Sequence, residues 1–340
     1  NGISQDYLQE PLVELLTRVL FRIKFVSNQA AIDPISLTYI LPLLINVLEK
    51  GKAIALKNAD KPVVKAEFVE EDEEEEHLLL AMEIISVHAE AFEDPSIPRI
   101  SIVEVLLSLL SLPSKAKIAK DCFNALCQSI SVAPNQEDLD MILSNLLSPN
   151  QFVRSTILET LDNEFELEPF MKYSPEVFIC RFDSDPSNRE IADFIWEFNK
   201  FVVNDELLKS LFPLFNQDDS GLRLFAANAY AFGAVSLFTS EENSSKDYLN
   251  DLLNFYKERA KPLEPILDQF GLVLVSASEQ KDPWQGRSTV AITLKIMAKA
   301  FSAEDDTVVN IIKFLVDDGG LVDREPIVRQ EMKEAGVELI

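Results

Sequence analysis

A basic residue returns along this chain at a nearly constant interval. Lys115, Arg154, Arg189, Arg223, Arg287 and Arg329 are separated by 39, 35, 34, 64 and 42 residues, and 64 is about two periods. Apolar or small residues follow three, four and seven places later. They are Ile118, Ala119 and Cys122 after Lys115, and Ile157, Leu158 and Leu161 after Arg154. Ala226, Ala227 and Tyr230 follow Arg223, and Val290, Ala291 and Leu294 follow Arg287. Arg189 (Ala192, Trp196) and Arg329 (Met332, Gly336) match less fully. A polar residue stands four places before most anchors: Asn150, Asp185, Asp219 and Glu325. Short polar side chains there cap a helix, and a carboxylate suits the positive end of its dipole. An acid–arginine series at one repeat position also offers a link between neighbouring repeats. A fixed period of this length marks a chain of stacked supersecondary units, each touching only its neighbours.

The remaining apolar pattern is helical. Leu12, Leu15, Leu16, Val19, Leu20 and Ile23 form one stripe, and Ile40, Leu43, Leu44, Val47 and Leu48 another. Further helices are expected to start near Glu75, Ser101, Ser114, Gln136, Asn150, Ser187, Asp205, Ser220, Lys246, Pro262, Trp284, Ala303 and Glu325. Strand-like alternation is weak, with Val63–Val69 the best case. The reading is all-α: about eight antiparallel helix pairs in a right-handed α-solenoid, open at both ends and without a sheet. The pattern around Val153-Arg154 resembles the second helix of a HEAT repeat. With 47% hydrophobic residues the chain has enough apolar surface for a core despite its net charge of −26.

Three parts are expected: a first helix pair over 1–49, a charged flexible insertion over 50–76, and a continuous array over 77–340. The insertion opens with Lys50, Lys52, Lys57, Lys61 and Lys65 and closes on the acids from Glu70 to Glu76. One reading is a solvated arm whose acids favour the N-terminus of the next helix; the other is an arm that touches a partner. The first residue is Asn1, and the last are apolar Val337, Leu339 and Ile340, so a piece of a longer solenoid is expected.

Sites for chemistry are sparse. Gly51-Lys52 lacks the first glycine and the Ser/Thr of a phosphate loop, with Asn46 and Ala53 in their places. His77 and His88 have no ligating partner at metal spacing, and Cys122 and Cys127 read as core thiols, as do Trp196 and Trp284 as core rings. No catalytic, cofactor or metal site is expected, and no enzyme. Neither of the longest apolar runs, Leu78–Val87 and Val105–Leu112, reaches the ~20 residues of a membrane span. Free thiols at Cys122, Cys127 and Cys180 fit a reducing compartment. The charge repels phosphate, which argues against DNA and favours basic protein partners. Any contact with RNA would need a local basic cluster. The lysines at 50, 52, 57, 61 and 65, with Lys115, Lys117 and Lys120, supply the only two.

Several segments add a resemblance. Ser148 to Arg154, Arg181 to Trp196, Tyr256 to Arg259 with Pro262 to Gly271, and Asp282 to Arg287 resemble the giant HEAT-repeat family of general-control translational activators, in its fungal form. The resemblance covers most of the chain after about Glu75. It implies a cytoplasmic, ribosome-associated scaffold that senses stalled or collided ribosomes. Such scaffolds help activate the kinase of the initiation factor two alpha subunit in amino-acid starvation. Contacts with that kinase and with an ATP-binding-cassette partner are implied for other parts of the full-length protein. Composition alone leaves open a nuclear transport receptor that binds basic cargo.

Overall fold

The computed structural model describes residues 12–30, 32–59, 73–167, 174–238, 248–300 and 306–339. The protein divides into two compact units, residues 1–170 and 171–340. The expectation from sequence is a continuous array over 77–340.

The first unit holds helices α1 (Leu12–Ser27), α2 (Pro34–Ala59), α3 (Glu73–Val87), α4 (Ile100–Leu110), α5 (Ala116–Ile130), α6 (Gln136–Ser144) and α7 (Gln151–Glu164). They sort into two layers. Helices α1, α3, α5 and α7 each pack on the next, as do α2, α4 and α6, and α2·α3 and α4·α5 join the layers. This is the packing that a two-helix repeat dictates: each helix meets its neighbour one repeat on. The core between the layers is aliphatic. Leu44, Leu48, Ile85, Leu106, Leu109, Phe123, Leu126, Ile142 and Leu161 are all buried.

Both histidines lie in this core. His77 Nε2 meets Thr17 Oγ1 at 2.6 Å, and His88 Nε2 meets Ser27 Oγ at 2.7 Å. They fasten α1 to α3 and its C-terminal end. Burial holds His88 below the usual histidine pKa. Cys122 and Cys127 are buried as well, and burial pushes the Cys122 thiol up to about 11.

The second unit holds α8 (Pro175–Cys180), α9 (Pro186–Phe198), α10 (Asp205–Leu211), α11 (Ser220–Phe238), α12 (Tyr248–Ala260), α13 (Trp284–Ala300), α14 (Asp306–Val316) and α15 (Pro326–Val337). Here α11, α13 and α15 pack in series, with α10, α12 and α14 against them. Its core is aromatic where the first is aliphatic. Phe212, Phe215, Tyr230 and Phe255 stack edge-to-face and face-to-face within 4.8–5.7 Å. Helix α11 is long and apolar enough to cross a membrane by length and composition, but most of it is buried among its neighbours.

Several expectations are corrected. Lys50, Lys52 and Lys57 lie on α2, which continues to Ala59, and Glu74–Glu76 belong to α3; these parts of the 50–76 segment are helical, not loop. Lys61, Lys65 and the alternation at 63–69 lie outside the described residues. No helix starts at Pro262. Pro262 and Pro265 disfavour one, and a hairpin of β1 (Ile266–Leu267) and β2 (Val273–Val275) forms instead, where no sheet is expected. The short α8 is not among the expected helices, because six residues carry too little periodicity. Trp284 is only half-buried, and Phe232, though exposed, still meets the rings of Phe178 and Phe182.

The α2–α3 packing is close at one point. A Cβ at Gly51 would lie 2.8 Å from Leu78 Cβ. Replacing an interior helical glycine by alanine ordinarily gains about 1 kcal/mol of helix propensity. Here overpacking is expected to outweigh that gain, costing about 1–3 kcal/mol. Gly51→Ala should therefore lower the melting temperature, and a rise on thermal denaturation would show that α3 gives way freely.

Candidate functional site

The periodic arginines perform one local task. Arg154 Nη1 donates to Ser148 O at 2.9 Å and Pro149 O at 3.1 Å. Arg189 Nη1 donates to Asp183 O at 2.6 Å and Ser184 O at 3.2 Å. Arg223 Nη1 donates to Gln217 O and Asp218 O at 3.0 and 2.8 Å. Arg329 Nη1 donates to Asp323 O and Arg324 O at 2.6 and 3.0 Å. In all four, one nitrogen with two hydrogens closes on the carbonyls six and five residues back. Those carbonyls sit in the bend between two helices, where neither helix supplies a donor. The side chain lies at the fourth helical residue and reaches back over the N-terminus.

The polar residues four places before the arginines cap the same helices. Asn150 Oδ1 accepts from Phe152 N and Val153 N, Asp185 from Ser187 N and Asn188 N, and Asp219 Oδ1 from Leu222 N. Glu325 departs from this: its longer side chain makes no cap bond. Asp323 Oδ1 takes the Glu325 N–H at 2.8 Å, as Asp183 Oδ1 takes that of Asp185 at 3.0 Å. Asn150, Asp185 and Asp219 thus cap their helices, and carboxylates at other positions link repeats.

One is Asp323, bound to the fully buried Arg287 of the preceding repeat. Arg287 Nε and Nη2 donate to the two Asp323 oxygens at 2.8 and 2.9 Å. Its Nη1 and Nη2 donate to Asp282 at 2.7 and 3.0 Å, and Nη1 also to Arg259 O at 3.1 Å. All five guanidinium donors are thus engaged. Tyr256 Oη donates to Asp323 Oδ2 at 2.6 Å, and Arg324 forks onto Asp282 at 3.0 and 2.7 Å. Hydrogen bonds from Arg287 hold the Asp282 carboxyl far below the carboxylate range. Burial alone would raise Asp323, but bonds from Arg287 and Tyr256 reverse the sign and lower it. The first unit has a counterpart: buried Arg99, at the start of α4, forks onto Asp138 on α6 and donates to Phe92 O and Ala133 O.

Lysine–glutamate pairs 39 residues apart add exposed rungs between like helices. Lys120 meets Glu159 at 2.6 Å, Lys295 meets Glu334 at 2.9 Å, and Lys299 meets Glu338 at 3.1 Å. Lys115, at the start of α5, is buried against Glu75 of α3, and burial lowers its pKa. Two lysines of the 115–120 cluster are therefore rungs, and Lys117 between them is exposed. On α2, Lys50 and Lys57 are exposed and Lys52 half-buried.

Chemistry of other kinds finds no support among the described residues. No group of three His, Cys, Asp or Glu side chains stands at metal-binding distance there. A cleft of about 310 Å³ between α10, α11 and α12 includes Asp205, Lys209, Tyr230 and Tyr248. Tyr248 Oη donates to Asp205 at 2.7 Å and Tyr230 Oη to Tyr248 O at 3.0 Å, so its hydroxyls join helices.

Removing one partner of the buried Arg287–Asp323 pair strands the other. Arg287→Met should cost about 3–5 kcal/mol, because Asp323 is left charged and buried. Arg287→Met with Asp323→Leu should recover part of that loss in a double-mutant cycle. Both carboxyls have lowered values in the fold. Their stabilisation is therefore full above the unfolded carboxylate range near ~4 and is lost as pH falls through the folded values below it. Acid titration of the Arg287→Met variant should be shallower than that of the wild type. Additive single effects in urea melts would show that the pair is not coupled.

Comparison with known proteins bears on this arrangement. Residues 164–340 match the family model described as stalled ribosome sensor GCN1, HEAT repeats, and residues 1–111 match fungal GCN1-like, HEAT repeats. Over its whole length the chain is 99% identical to the eIF-2-alpha kinase activator GCN1 of Saccharomyces cerevisiae, spanning 13% of that protein. Over 78% of its length it is 24% identical to the stalled ribosome sensor GCN1 of Mus musculus and 23% identical to that of Homo sapiens, spanning 11% of each. No solved structure matches the chain.

Proposed function

The chain belongs to the HEAT-repeat family of the stalled ribosome sensor GCN1, and from that premise we propose that it is a non-catalytic scaffold segment of a cytoplasmic, ribosome-associated translational activator. The observation that carries this reading is the identity of 99% along the whole chain to a protein named as an activator of the eIF-2-alpha kinase. The relatives named as stalled ribosome sensors support a role on ribosomes that have halted or collided. Kinase and ATP-binding-cassette partners would engage other parts of the full-length protein. The fold supports a mechanical role. Its polar groups are spent on joining helices and repeats, and an array of neighbour-only contacts gathers few side chains from far along the chain into one pocket. A nuclear transport receptor rests on acidity alone, and no relative's name favours it.

A net charge of −26 opposes phosphate, so any contact with ribosomal RNA is local and electrostatic. The late turns of α2, with Lys50, Lys52 and Lys57, are the best-placed cluster. Cations also suit the C-terminal end of a helix dipole, so the competing role is structural. Lys50→Glu/Lys52→Glu/Lys57→Glu in the full-length protein should weaken co-sedimentation with ribosomes. The salt slope should fall by about one for each phosphate that is no longer neutralised. Unchanged association at every salt concentration, with an unchanged melt, would mean that this stretch is held off the ribosome or binds protein through its acidic face.

A further inference from the structure

The hairpin between α12 and α13 breaks the repeat, and its side chains are unlike those of any other loop described. Ile266, Leu267, Phe270, Leu272, Val273 and Leu274 are 50–79% exposed. Successive residues of a strand face opposite sides. Val273 and Leu274 are neighbours, and both are more than half exposed, so both faces of β2 are open at its start, while Val275 at its end is half-buried. The hairpin therefore stands away from the array with apolar side chains on both sides.

The turn is built, not slack. Asp268 Oδ1 accepts from Phe270 N and Leu272 N, both at 2.8 Å, and Asp268 N donates to Leu272 O at 2.8 Å. Gly271 closes it at φ +82°, where a side chain would be strained. Gln280 Nε2 donates to Glu264 O, which ties the two ends of the excursion together. Phe270 is held at the tip, 79% exposed. A two-stranded hairpin is marginal alone and gains from a third strand. Burying these side chains on the array would be favourable, yet the fold leaves them in water. Such exposure marks an interaction site.

We propose that this hairpin docks an extended segment of a basic protein partner, which adds to the sheet as a further strand. Only an added strand lengthens both apolar faces together, placing alternate side chains on each. Charge sets the partner's chemistry. Residues 262–280 carry Glu264, Asp268 and Glu279 and no Lys or Arg, and the lysines that flank them, Lys261 and Lys281, are paired with Glu258 and Asp218. An apolar strand flanked by lysine or arginine is complementary; an acidic strand, a nucleic acid or an anionic lipid surface is repelled. The site is independent of the ribosomal reading, since it is defined by its own shape and charge.

The probe is a fluorescein-labelled peptide with an alternating valine–leucine centre and two lysines at each end. Its control carries glutamates in place of the lysines. Fluorescence anisotropy is read on the whole 340-residue chain at low and high salt. The lysine peptide should bind, severalfold more weakly at high salt, and the glutamate peptide at least tenfold more weakly. Phe270→Ser/Leu272→Ser/Leu274→Ser should weaken binding at least tenfold with an unchanged thermal melt, because these side chains are exposed. As a second variant, Glu264→Lys leaves the apolar residues in place and should weaken the lysine peptide while strengthening the glutamate one. Equal binding of both peptides, or full binding by the triple-serine variant, overturns the proposal. So does self-association by light scattering, or adsorption to phosphatidylserine vesicles, that the triple-serine variant removes; the occupant would then be a second copy or a membrane.

Discussion

Everything in this fold depends on how a chain turns between two helices without leaving carbonyls bare. At each bend the last carbonyls of one helix and the first N–H groups of the next have no partner of their own. Four bends here use the same pair of side chains. An Asn or Asp, or the aspartate that stands in for Glu325, takes free N–H groups, and an arginine at the fourth helical residue takes two bend carbonyls. A lysine could reach one carbonyl as a point charge but has no planar fork to set the angle between two. The first anchor of the series, Lys115, stands just before α5 and not at its fourth residue, and it pairs with Glu75 of the neighbouring repeat.

Fixing the bend fixes the helix pair, and stacking pairs then needs only a few directed contacts. The strongest is Arg287 with Asp282 and Asp323. Burying Arg287 and Asp323 beside a partly exposed Asp282 is costly, and the cost is offset only because all five donors of the guanidinium have acceptors and Tyr256 satisfies a remaining lone pair. The exposed rungs at 39-residue spacing contribute little each, about 0.2–1 kcal/mol for an exposed pair. What they share with Arg99–Asp138 is their length in sequence, which equals one repeat. Register between repeats is thus written twice, once in buried ions and once in surface ions.

Much of this is legible because periodicity survives in a single sequence. The arginine series, the caps at Asn150, Asp185 and Asp219, and most helix starts follow from spacing alone. The partner of Arg287 does not, since a carboxylate 36 residues away is one among 57 acids. A signal is present all the same. Asp183-Ser184-Asp185-Pro186 and Asp323-Arg324-Glu325-Pro326 share a pattern, and their first aspartates are both buried. Arg99 and Asp138 escape the spacing because Arg99 precedes its helix and lies outside the anchor series. The structural roles of the histidines are hidden for a different reason. Imidazole packs on its apolar body while one nitrogen finds a hydroxyl, and sequence gives no view of Thr17 or Ser27 folded against it. At Pro262 the apolar run imitates a helix, and only the weight given to two prolines tells it from a hairpin.

The departures from period therefore carry more information about function than the period does. A repeat satisfies its own polar groups and hides its own apolar face, so a regular stretch has little left to offer a partner. Lys120, Lys295 and Lys299 are cations by composition, yet each already answers a glutamate one repeat on. The side chains best placed for a partner lie where the chain leaves the pattern. One place is α2, which carries Lys50 and Lys57 beyond the length of its neighbours in the first unit. The other is the excursion between α12 and α13, where the spacing of anchors doubles to 64 residues and a hairpin replaces the expected helix start. At the bend there Arg287 grips the Asp282 side chain and the Arg259 carbonyl, where Arg154, Arg189, Arg223 and Arg329 grip the carbonyls five and six residues back. Arg324 grips the same carboxylate from the next repeat and binds the carbonyls of Ala260 and Lys261 that lead out to the hairpin. The densest set of ions described in the second unit thus lies at the base of its one described strand pair, and it anchors both ends of a segment that the core does not hold.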